Sequence, residues 1–398
     1  MHESTSTLVV ITTGRPGYRQ AAESLRLNIE RWNPAVSRID LLINYDVGFE
    51  SAGAAAFTDP PPRPLAAGGC VHFAGPDFVR GAGWLDAAER PALESISPAT
   101  GYGQKKNACL LFAVRHGYGR VLFWDDDEYA LHMERVADTV RWTSTDVISA
   151  HALARADVSF GFCTGYISPI PDSLFLELDR NTRATLTEAL QPINDAVNES
   201  TFFERSASFH VARAGEGTVA EVPETRGGKW ISGGNVGLRC AAIAAGRLPA
   251  FYTPTDSRGD DSVFSTGLCD AVVMRTPAGI FHDAFGALAG ADLSRPAGLP
   301  VQLPAPGRNE ERFARVLRGR LAYAPVLAVL RGVSDVAGTI GESASRLAAC
   351  EQALAVYFGS AWKWPPPSEL LRGYLASVDT ELEAYRQTQR TWRQLCGT

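Results

Sequence analysis

The apolar positions of the first 45 residues form two short runs with an amphipathic stretch between them. Leu8–Thr13 and Ile39–Asn44 are rich in aliphatic and β-branched residues, and each run predicts a buried β-strand. From Tyr18 to Trp32 the apolar residues recur at helical spacing, until Asn33-Pro34 ends the pattern. A strand, a helix and a strand in close succession indicate a parallel crossover unit. They therefore predict an α/β fold whose mostly parallel sheet is flanked by helices.

Strands and helices continue to alternate as far as residue 290. The sequence predicts strands at Val121–Trp124, Val158–Gly165 and Ala271–Arg275, and helices at Gln104–His116, after Trp230–Gly237 and after Gly259. Residues 51–103 and 172–228 lack periodicity, so we expect long loops there, the second serving as an insertion or mobile lid. We divide the chain into a domain of residues 1–290, a linker of 291–309 and a helical extension of 310–398, with a break at Pro365–Pro367.

The composition is that of an ordinary globular protein. Of the 398 residues 45% are hydrophobic and 21% are charged, and the net charge of −6 argues against nucleic acid as a partner. The 7 cysteines are scattered without a Cys-x-x-Cys pair, so neither a zinc knuckle nor a disulfide framework is indicated. The N-terminus lacks the pattern of a signal peptide, and no apolar stretch reaches the length of a transmembrane segment. We expect a cytoplasmic protein.

Consecutive acids follow the apolar strand Val121–Trp124. Asp125, Asp126, Asp127 and Glu128 repel one another unless a cation or solvent neutralises them. In open α/β sheets ligands bind beyond the carboxyl ends of the strands, and carboxylate oxygens suit Mg²⁺ or Mn²⁺. The pattern indicates a divalent-metal site that meets phosphate groups. The alternative is a solvated acidic turn that caps the following helix.

Other segments carry groups that suit a phosphate-bearing ligand or its metal. Lys105, Lys106 and Asn107 open an apolar helix, where phosphate oxygens are favoured, although solvated lysines on a first turn are the equal alternative. Arg15, in the loop after the first strand, can meet phosphate in the same way. His282 follows an apolar strand, and it either completes the coordination of a metal through a ring nitrogen or has a structural role.

Two more segments are candidates for the substrate side of the site. Gly233, Gly234 and Asn235 allow a ligand to approach the backbone closely and supply an amide donor and acceptor, or they form a plain turn. Asp260 and Asp261 stand at the start of a predicted helix. Either they cap that helix, or one of them is a general base that deprotonates an acceptor hydroxyl.

These motifs, in this order, resemble the GT-A superfamily of nucleotide-sugar glycosyltransferases. The hallmark of that superfamily is an Asp-x-Asp motif at a strand end, which Asp125-Asp126-Asp127 matches. The resemblance covers residues 5–290 and implies a GT-A fold, with the helical extension outside it. It implies nucleotide contacts at Thr12, Thr13, Arg15, Asp46, Asp125 and Asp126, with Asp125 bonding the ribose. It places Lys105, Lys106 and Asn107 beneath the diphosphate, and it implies sugar contacts at Gly233, Gly234 and Asn235. It further implies metal ligands at Asp125, Asp127 and His282, and a catalytic base at Asp261 next to Asp260.

The resemblance implies transfer of a sugar from a nucleoside-diphosphate sugar to an acceptor hydroxyl. A UDP-sugar is favoured over a GDP-sugar and a small molecule is favoured as acceptor, while Mn²⁺ or Mg²⁺ would stabilise the leaving diphosphate. Inverting and retaining mechanisms both stay open. The alternatives are a sugar-nucleotide nucleotidyltransferase, whose glycine-rich phosphate loop residues 13–17 match poorly, and a non-catalytic protein of the same fold that binds a nucleotide or sugar.

The helical extension carries an apolar stripe. Phe313, Val316, Leu317 and Leu321 share one face of the predicted helix, and arginines stand nearby. We expect this face to pack on the rest of the chain. A homodimer interface, an acceptor platform and a helix on a membrane surface are the alternatives.

Overall fold

The strands form one large sheet and one small sheet. The computed structural model describes residues 6–48, 52–99, 103–166, 178–193, 209–213, 215–294, 296 and 309–397. The strands are β1 (Thr7–Thr13), β2 (Ile39–Tyr45), β3 (Val71–Ala74), β4 (Arg120–Asp125), β5 (Glu128–Tyr129), β6 (His132–Val136), β7 (Thr139–Thr143), β8 (Val158–Tyr166), β9 (Phe209–His210), β10 (Ala212–Arg213), β11 (Ala220–Glu221), β12 (Val236–Arg239) and β13 (Val273–His282). The large sheet has the order β11-β13-β8-β12-β4-β1-β2-β3, with β5 beside β13 and β9 beside β8, and β10-β6-β7 form the small sheet.

Along the strand order from β11 to β3, most neighbouring strands of the large sheet are parallel. Strands β3, β2, β1 and β4 run in one direction, and β13 is parallel to β8. Strand β12 lies between β4 and β8 and is antiparallel to both. The sheet is curled and helices flank it, so the predicted α/β class with a GT-A-like, mostly parallel sheet is confirmed.

Helices cover both faces of this sheet. They are α1 (Arg19–Trp32), α2 (Ala54–Thr58), α3 (Arg90–Ile96), α4 (Lys106–Arg115), α5 (Val147–Ala152), α6 (Arg180–Leu190), α7 (Cys240–Ala244), α8 (Asp260–Thr266), α9 (Asn309–Leu330), α10 (Val336–Phe358), α11 (Pro367–Ala376) and α12 (Val378–Cys396). Successive residues of a strand point to opposite faces, so Leu8 and Val10 join the core under α4, while Val9 and Ile11 join the core under α1.

Local sequence explains where several helices begin and end. Helix α1 ends as predicted because Asn33 takes the left-handed conformation (φ 46°) and its N–H donates to the carbonyl of Ile29. Asp179 is the N-cap of helix α6, and its side chain accepts hydrogen bonds from the N–H groups of Asn181 and Thr182. These caps satisfy backbone groups that a helix end otherwise leaves without partners.

An unpredicted strand precedes one of the predicted helices. The segment that begins at Trp230 leads into the strand β12, and only the short helix α7 follows it. Val236 and Leu238 are buried, and a side chain at Gly237 would overlap the Ser159 hydroxyl of β8. Pairing with β4 and β8, which are distant in sequence, decides this strand, because four residues are too few to show a period.

The two predicted loops contain secondary structure. Residues 51–103 include α2, β3 and α3, and β3 extends the sheet next to β2. The described part of residues 172–228 includes helix α6, which packs against α10. The strand predicted at Ala271–Arg275 continues to His282 through a shift of register after Arg275. Most of the predicted linker 291–309 lies outside the described residues.

The helical extension packs within the chain, as expected. Phe313, Leu317 and Leu321 are fully buried in a core that α9 shares with α6, α10 and α11. Helix α12 adds Trp392 and Leu395 to the core beneath the large sheet. The apolar stripe is therefore covered by the chain itself. Among the helices that the structure describes, we find none with both the length and the apolar character needed to cross a membrane.

Candidate active site

A row of residues crosses the carboxyl ends of four parallel strands. Thr12 of β1 pairs with Asp125 of β4 on one side and with Asn44 of β2 on the other, and Asn44 pairs with Ala74 of β3. Adjacent strands lie about 4.8 Å apart, so the row is about 14 Å long. Side chains in register point to the same face, which helix α4 covers. The row joins the acidic segment at one end to a cavity at the other.

The cavity at the β2–β3 end has a volume of about 260 Å³. Its lining includes Asn44, Ala74, Phe78, Val79, Ser97 and Lys105. Asn44 is 2% exposed, and its Oδ1 accepts no hydrogen bond from the described residues, nor does the Thr12 hydroxyl make one. A buried polar atom without a partner costs about 1–3 kcal/mol. An unsatisfied acceptor on a cavity wall therefore suits a ligand that brings an N–H or O–H donor.

Asp126 and Asp127, which follow β4, contact different sets of side chains. Asp126 accepts hydrogen bonds from Thr13 Oγ1 at 2.7 Å and from Arg15 Nε at 3.1 Å. Asp127 lies between Arg15, whose Nη2 is 2.8 Å from Oδ2, and His282, whose Nε2 is 3.5 Å from Oδ1. The pairing of β13 with β5 brings His282 to this position. Thr13 and Arg15, expected to contact the nucleotide, are thus bonded to the acids.

Burial and charge shift the titration of these groups. Burial and neighbouring acids raise the pKa of Asp125 to about 6, and they also raise the pKa of Glu128. Burial alone would raise the pKa of Asp127, but His282 and Arg15 outweigh it and hold that pKa below its usual range. Burial would lower the pKa of His282, but Asp127 outweighs it and raises the pKa to about 9. The buried carboxylates therefore favour an additional cation.

Asp127 and His282, two of the predicted metal ligands, can supply part of the coordination sphere of a metal ion. Within the described residues, no group of three or more His, Cys, Asp or Glu side chains is arranged to hold a metal ion. Asp127 and His282 are nonetheless 3.5 Å apart, and the carbonyl of Tyr166 accepts a hydrogen bond from Nδ1, which leaves Nε2 facing Asp127. Mg²⁺ and Mn²⁺ take carboxylate ligands together with water and substrate phosphates. This donor set fits such an ion, with Asp125 nearby.

A second acidic group stands at the start of helix α8. Asp260 Oδ2 accepts a hydrogen bond from Lys106 Nζ at 2.9 Å, and both side chains are buried. Lys106, expected to contact a diphosphate, is therefore paired with Asp260, and its Nζ lies 4.9 Å from the ring centre of Phe251. Asp261 accepts a hydrogen bond from the N–H of Ser262 at 2.9 Å. Burial and the charge of Asp260 raise the pKa of Asp261 to about 6.

Gly233 and Gly234 lie between the two acidic groups. A Cβ on Gly233 would be 3.5 Å from Asp261 Oδ2, and a Cβ on Gly234 would overlap the carboxylate of Glu128. The absence of side chains lets one loop contact both groups. The structure therefore brings Asp261 and the acids after β4 to the same loop, although they lie far apart in sequence.

Two residues expected to contact a ligand have structural roles. Asn107 donates to the carbonyls of Ile96 at 2.8 Å and Phe251 at 3.0 Å, and its Oδ1 accepts from the Phe251 N–H. Asn235 donates to the carbonyl of Ala278 at 2.8 Å, and its Oδ1 lies 2.9 Å from His151 Nε2. Both amides are buried. They anchor loops because their hydrogen-bonding groups are used inside the protein.

Asp46 and Lys105 lie at the end of β2. Asp46 Oδ1 accepts a hydrogen bond from the N–H of Gly48 at 2.9 Å, a local turn contact. Lys105 Nζ donates to the carbonyl of Tyr45, and burial lowers the pKa of Lys105. Lys105 also lines the cavity, so it remains a candidate for contact with a ligand.

Sequence reasoning missed the roles of two residues. Asn44 is the last residue but one of β2, and a polar residue near the end of a buried strand was the available signal. Glu128 belongs to the acidic run, and its Oε2 accepts a hydrogen bond from the Asp125 N–H at 3.0 Å. Local sequence does not show that Asn44 lines the cavity or that Glu128 lies next to Gly234.

Comparison with known proteins does not assign this chain to a family. No protein-family model matches the chain, and no curated protein sequence matches it. The chain is similar to the crystal structure of S. aureus TarS, a glycosyltransferase, with 12% sequence identity and a TM-score of 0.32. The match covers 97% of this chain and 55% of TarS, so the chain spans little more than half of that structure. A similarity this low carries no argument about activity.

Proposed function

We propose that this protein is a glycosyltransferase that moves a sugar from a nucleoside-diphosphate sugar to an acceptor hydroxyl. The observation that supports this proposal most is the row Asp125–Thr12–Asn44–Ala74, which leads from the acids to the cavity. Its length of about 14 Å suits a nucleoside diphosphate lying along the sheet edge. The base would enter the cavity, and the diphosphate would lie next to the acids.

Each part of the site has an assigned role. Asn44 Oδ1 would accept a hydrogen bond from the base. Asp127 and His282, with Asp125, would hold Mn²⁺ or Mg²⁺, and the ion would supply positive charge next to the leaving diphosphate. Asp261 would take the proton of the acceptor hydroxyl while the acceptor oxygen bonds to the sugar's anomeric carbon and the bond to phosphate breaks. Its raised pKa places it close to the range in which a general base works best.

The test is release of nucleoside diphosphate from a panel of UDP- and GDP-sugars with Mn²⁺. We expect the wild-type chain to release UDP or GDP, and we expect Asp127→Ala to abolish the release. Asp138→Ala is the matched control, because Asp138 is an exposed residue of the β6–β7 turn. Equal turnover by the wild type and Asp127→Ala would contradict the role assigned to Asp127.

The same assay separates the alternatives. A nucleotidyltransferase would release pyrophosphate from a nucleoside triphosphate in place of diphosphate from a sugar donor. The loop after β1 gives no support to that activity, because Arg15 is bonded to Asp126 and Asp127. A non-catalytic binding protein would show a thermal shift with UDP or GDP and no turnover. If the wild type does release nucleoside diphosphate, small molecules that carry hydroxyl groups are the first acceptors to test.

A further inference from the structure

Helix α9 contacts the segment immediately before helix α8. Arg318 Nη2 lies 2.5 Å from Asp256 Oδ2, and the hydroxyl of Tyr374 in α11 is 3.2 Å from the same oxygen. The ring of Tyr323 fills the space next to Gly259, so that a Cβ on Gly259 would overlap it. Gly259 is the N-cap of α8, which carries Asp261. The extension therefore packs against the start of this helix without a gap.

The residue that follows α9 contacts a second segment. Arg331 Nε donates to the carbonyl of Arg226 at 3.0 Å, and its guanidinium lies 5.7 Å from the ring centre of Trp230. Gly227 has φ +73°, and a Cβ there would be 2.9 Å from the Arg331 carbonyl oxygen. This segment continues directly into the loop that holds Gly233. At both contacts a glycine, Gly259 or Gly227, allows close packing because it has no Cβ. At both contacts an arginine side chain also bonds to the packed segment.

The two contacted segments meet around Asp261. One precedes Asp261 in sequence, and the other leads to Gly233, whose Cβ position is 3.5 Å from Asp261 Oδ2. Arg318 and Arg331 are separated by about 20 Å along a helix at 1.5 Å per residue, so one element reaches both segments. The second segment also touches helix α8 itself, since Ile231 N–H donates to Ser265 Oγ at 3.3 Å.

We propose that α9 is a positioning element that sets Asp261 relative to the Gly233 loop, and so orients the acceptor. The part that concerns the acceptor rests on the proposed function. A misplaced base lowers the rate of transfer without weakening donor binding, because neither the lining of the cavity nor the acids after β4 belong to the two contacted segments. The helical extension, outside the family resemblance, would thus be required for transfer and not only for stability.

The test introduces a methyl group between the two elements. We expect Gly259→Ala to increase hydrogen–deuterium exchange in residues 225–234 and 256–266, since it forces Tyr323 and α9 away from α8. We expect nucleoside diphosphate release to slow by about 10- to 100-fold with an unchanged KM for the donor. The second change Tyr323→Ala should restore both properties by removing the overlap. Gly341→Ala in α10 is the matched control, because nothing lies within 4 Å of its Cβ position.

A second variant tests the other contact without altering a buried position. Arg331→Met should increase exchange in residues 225–234. Arg315→Met should not, because among the described residues Arg315 Nε bonds to the carbonyl of Glu311, within α9, at 3.3 Å. Exchange and turnover in Gly259→Ala that equal those of Gly341→Ala would overturn the proposal, and so would failure of Tyr323→Ala to restore them. If the wild type releases no nucleoside diphosphate, the proposed function fails, and the exchange data still decide whether α9 holds the two segments.

Discussion

Replacing Lys106 by methionine removes one partner of a buried ion pair. Lys106 and Asp260 join the starts of α4 and α8, and their side chains are 3% and 7% exposed. Methionine keeps most of the length and the apolar contacts of the lysine stem but carries no charge. The variant therefore tests the charge itself, and it leaves the Asp260 carboxylate in a low-dielectric setting without its cation.

The magnitude follows from the distance and the burial. Two unit charges 2.9 Å apart attract each other by about 6 kcal/mol at an effective dielectric constant of about 20. Part of this attraction offsets the loss of water around both groups, so the measured loss is smaller. Breaking a buried pair by removing one partner costs about 3–5 kcal/mol. We expect Lys106→Met to lower the free energy of unfolding by that amount.

Equilibrium unfolding in urea at neutral pH measures the change. The double variant Lys106→Met with Asp260→Leu should recover most of the stability, because replacing both partners by apolar residues is often neutral. Arg141→Met is the control, since Arg141 pairs with Glu134 at 3.1 Å but is 61% exposed. That control should cost less than about 1 kcal/mol. If Lys106→Met is no more destabilising than Arg141→Met, or if the double variant loses the sum of both single changes, the reasoning is refuted.

Three further predictions concern the site. Asp261 must be ionised to accept a proton and has a pKa raised to about 6, so wild-type kcat should fall as the pH drops through that value, and Asp261→Asn should lower kcat by about 100-fold or more with donor KM unchanged. His282→Ala should abolish the Mn²⁺-dependent part of the thermal shift given by UDP or GDP; a shift that keeps its dependence on Mn²⁺ would remove His282 from the metal site. Asn44→Leu should leave the unfolding midpoint unchanged or raise it, because it removes an unsatisfied buried acceptor. It should weaken nucleotide binding measured by calorimetry, and unchanged affinity would place the base elsewhere.

Much of the fold could be predicted because several elements carry their own signal. The strand β1 is apolar at both faces and α1 has a clear helical period, so each can be recognised without its neighbours. Strand β12 could not be recognised, since its four residues become a strand only between β4 and β8. The short elements between residues 51 and 103 were not predicted for the same reason, because strand pairing and helix packing with distant residues determine them.

The candidate site divides in the same way. Residue types at strand ends and helix starts pointed to Asp125, Asp127, His282 and Asp261, and the structure places His282 next to Asp127. The sequence did not show which partner each charged side chain has. Lys106 and Arg15 looked free to meet phosphate, yet both are paired with carboxylates. A sequence shows which groups carry charge, whereas only folding decides which opposite charge is within reach.

The sequence by itself determined the α/β class, the acidic strand end and the helical character of the extension, because these depend on the order and period of nearby residues. Only the tertiary structure decided that Asn44 faces a cavity, that Gly234 contacts Glu128, and that Tyr323 packs on Gly259. These contacts join residues from distant elements. They arise from strand register and helix packing, which satisfy burial and hydrogen bonding over the whole chain and leave no periodic trace in any one segment.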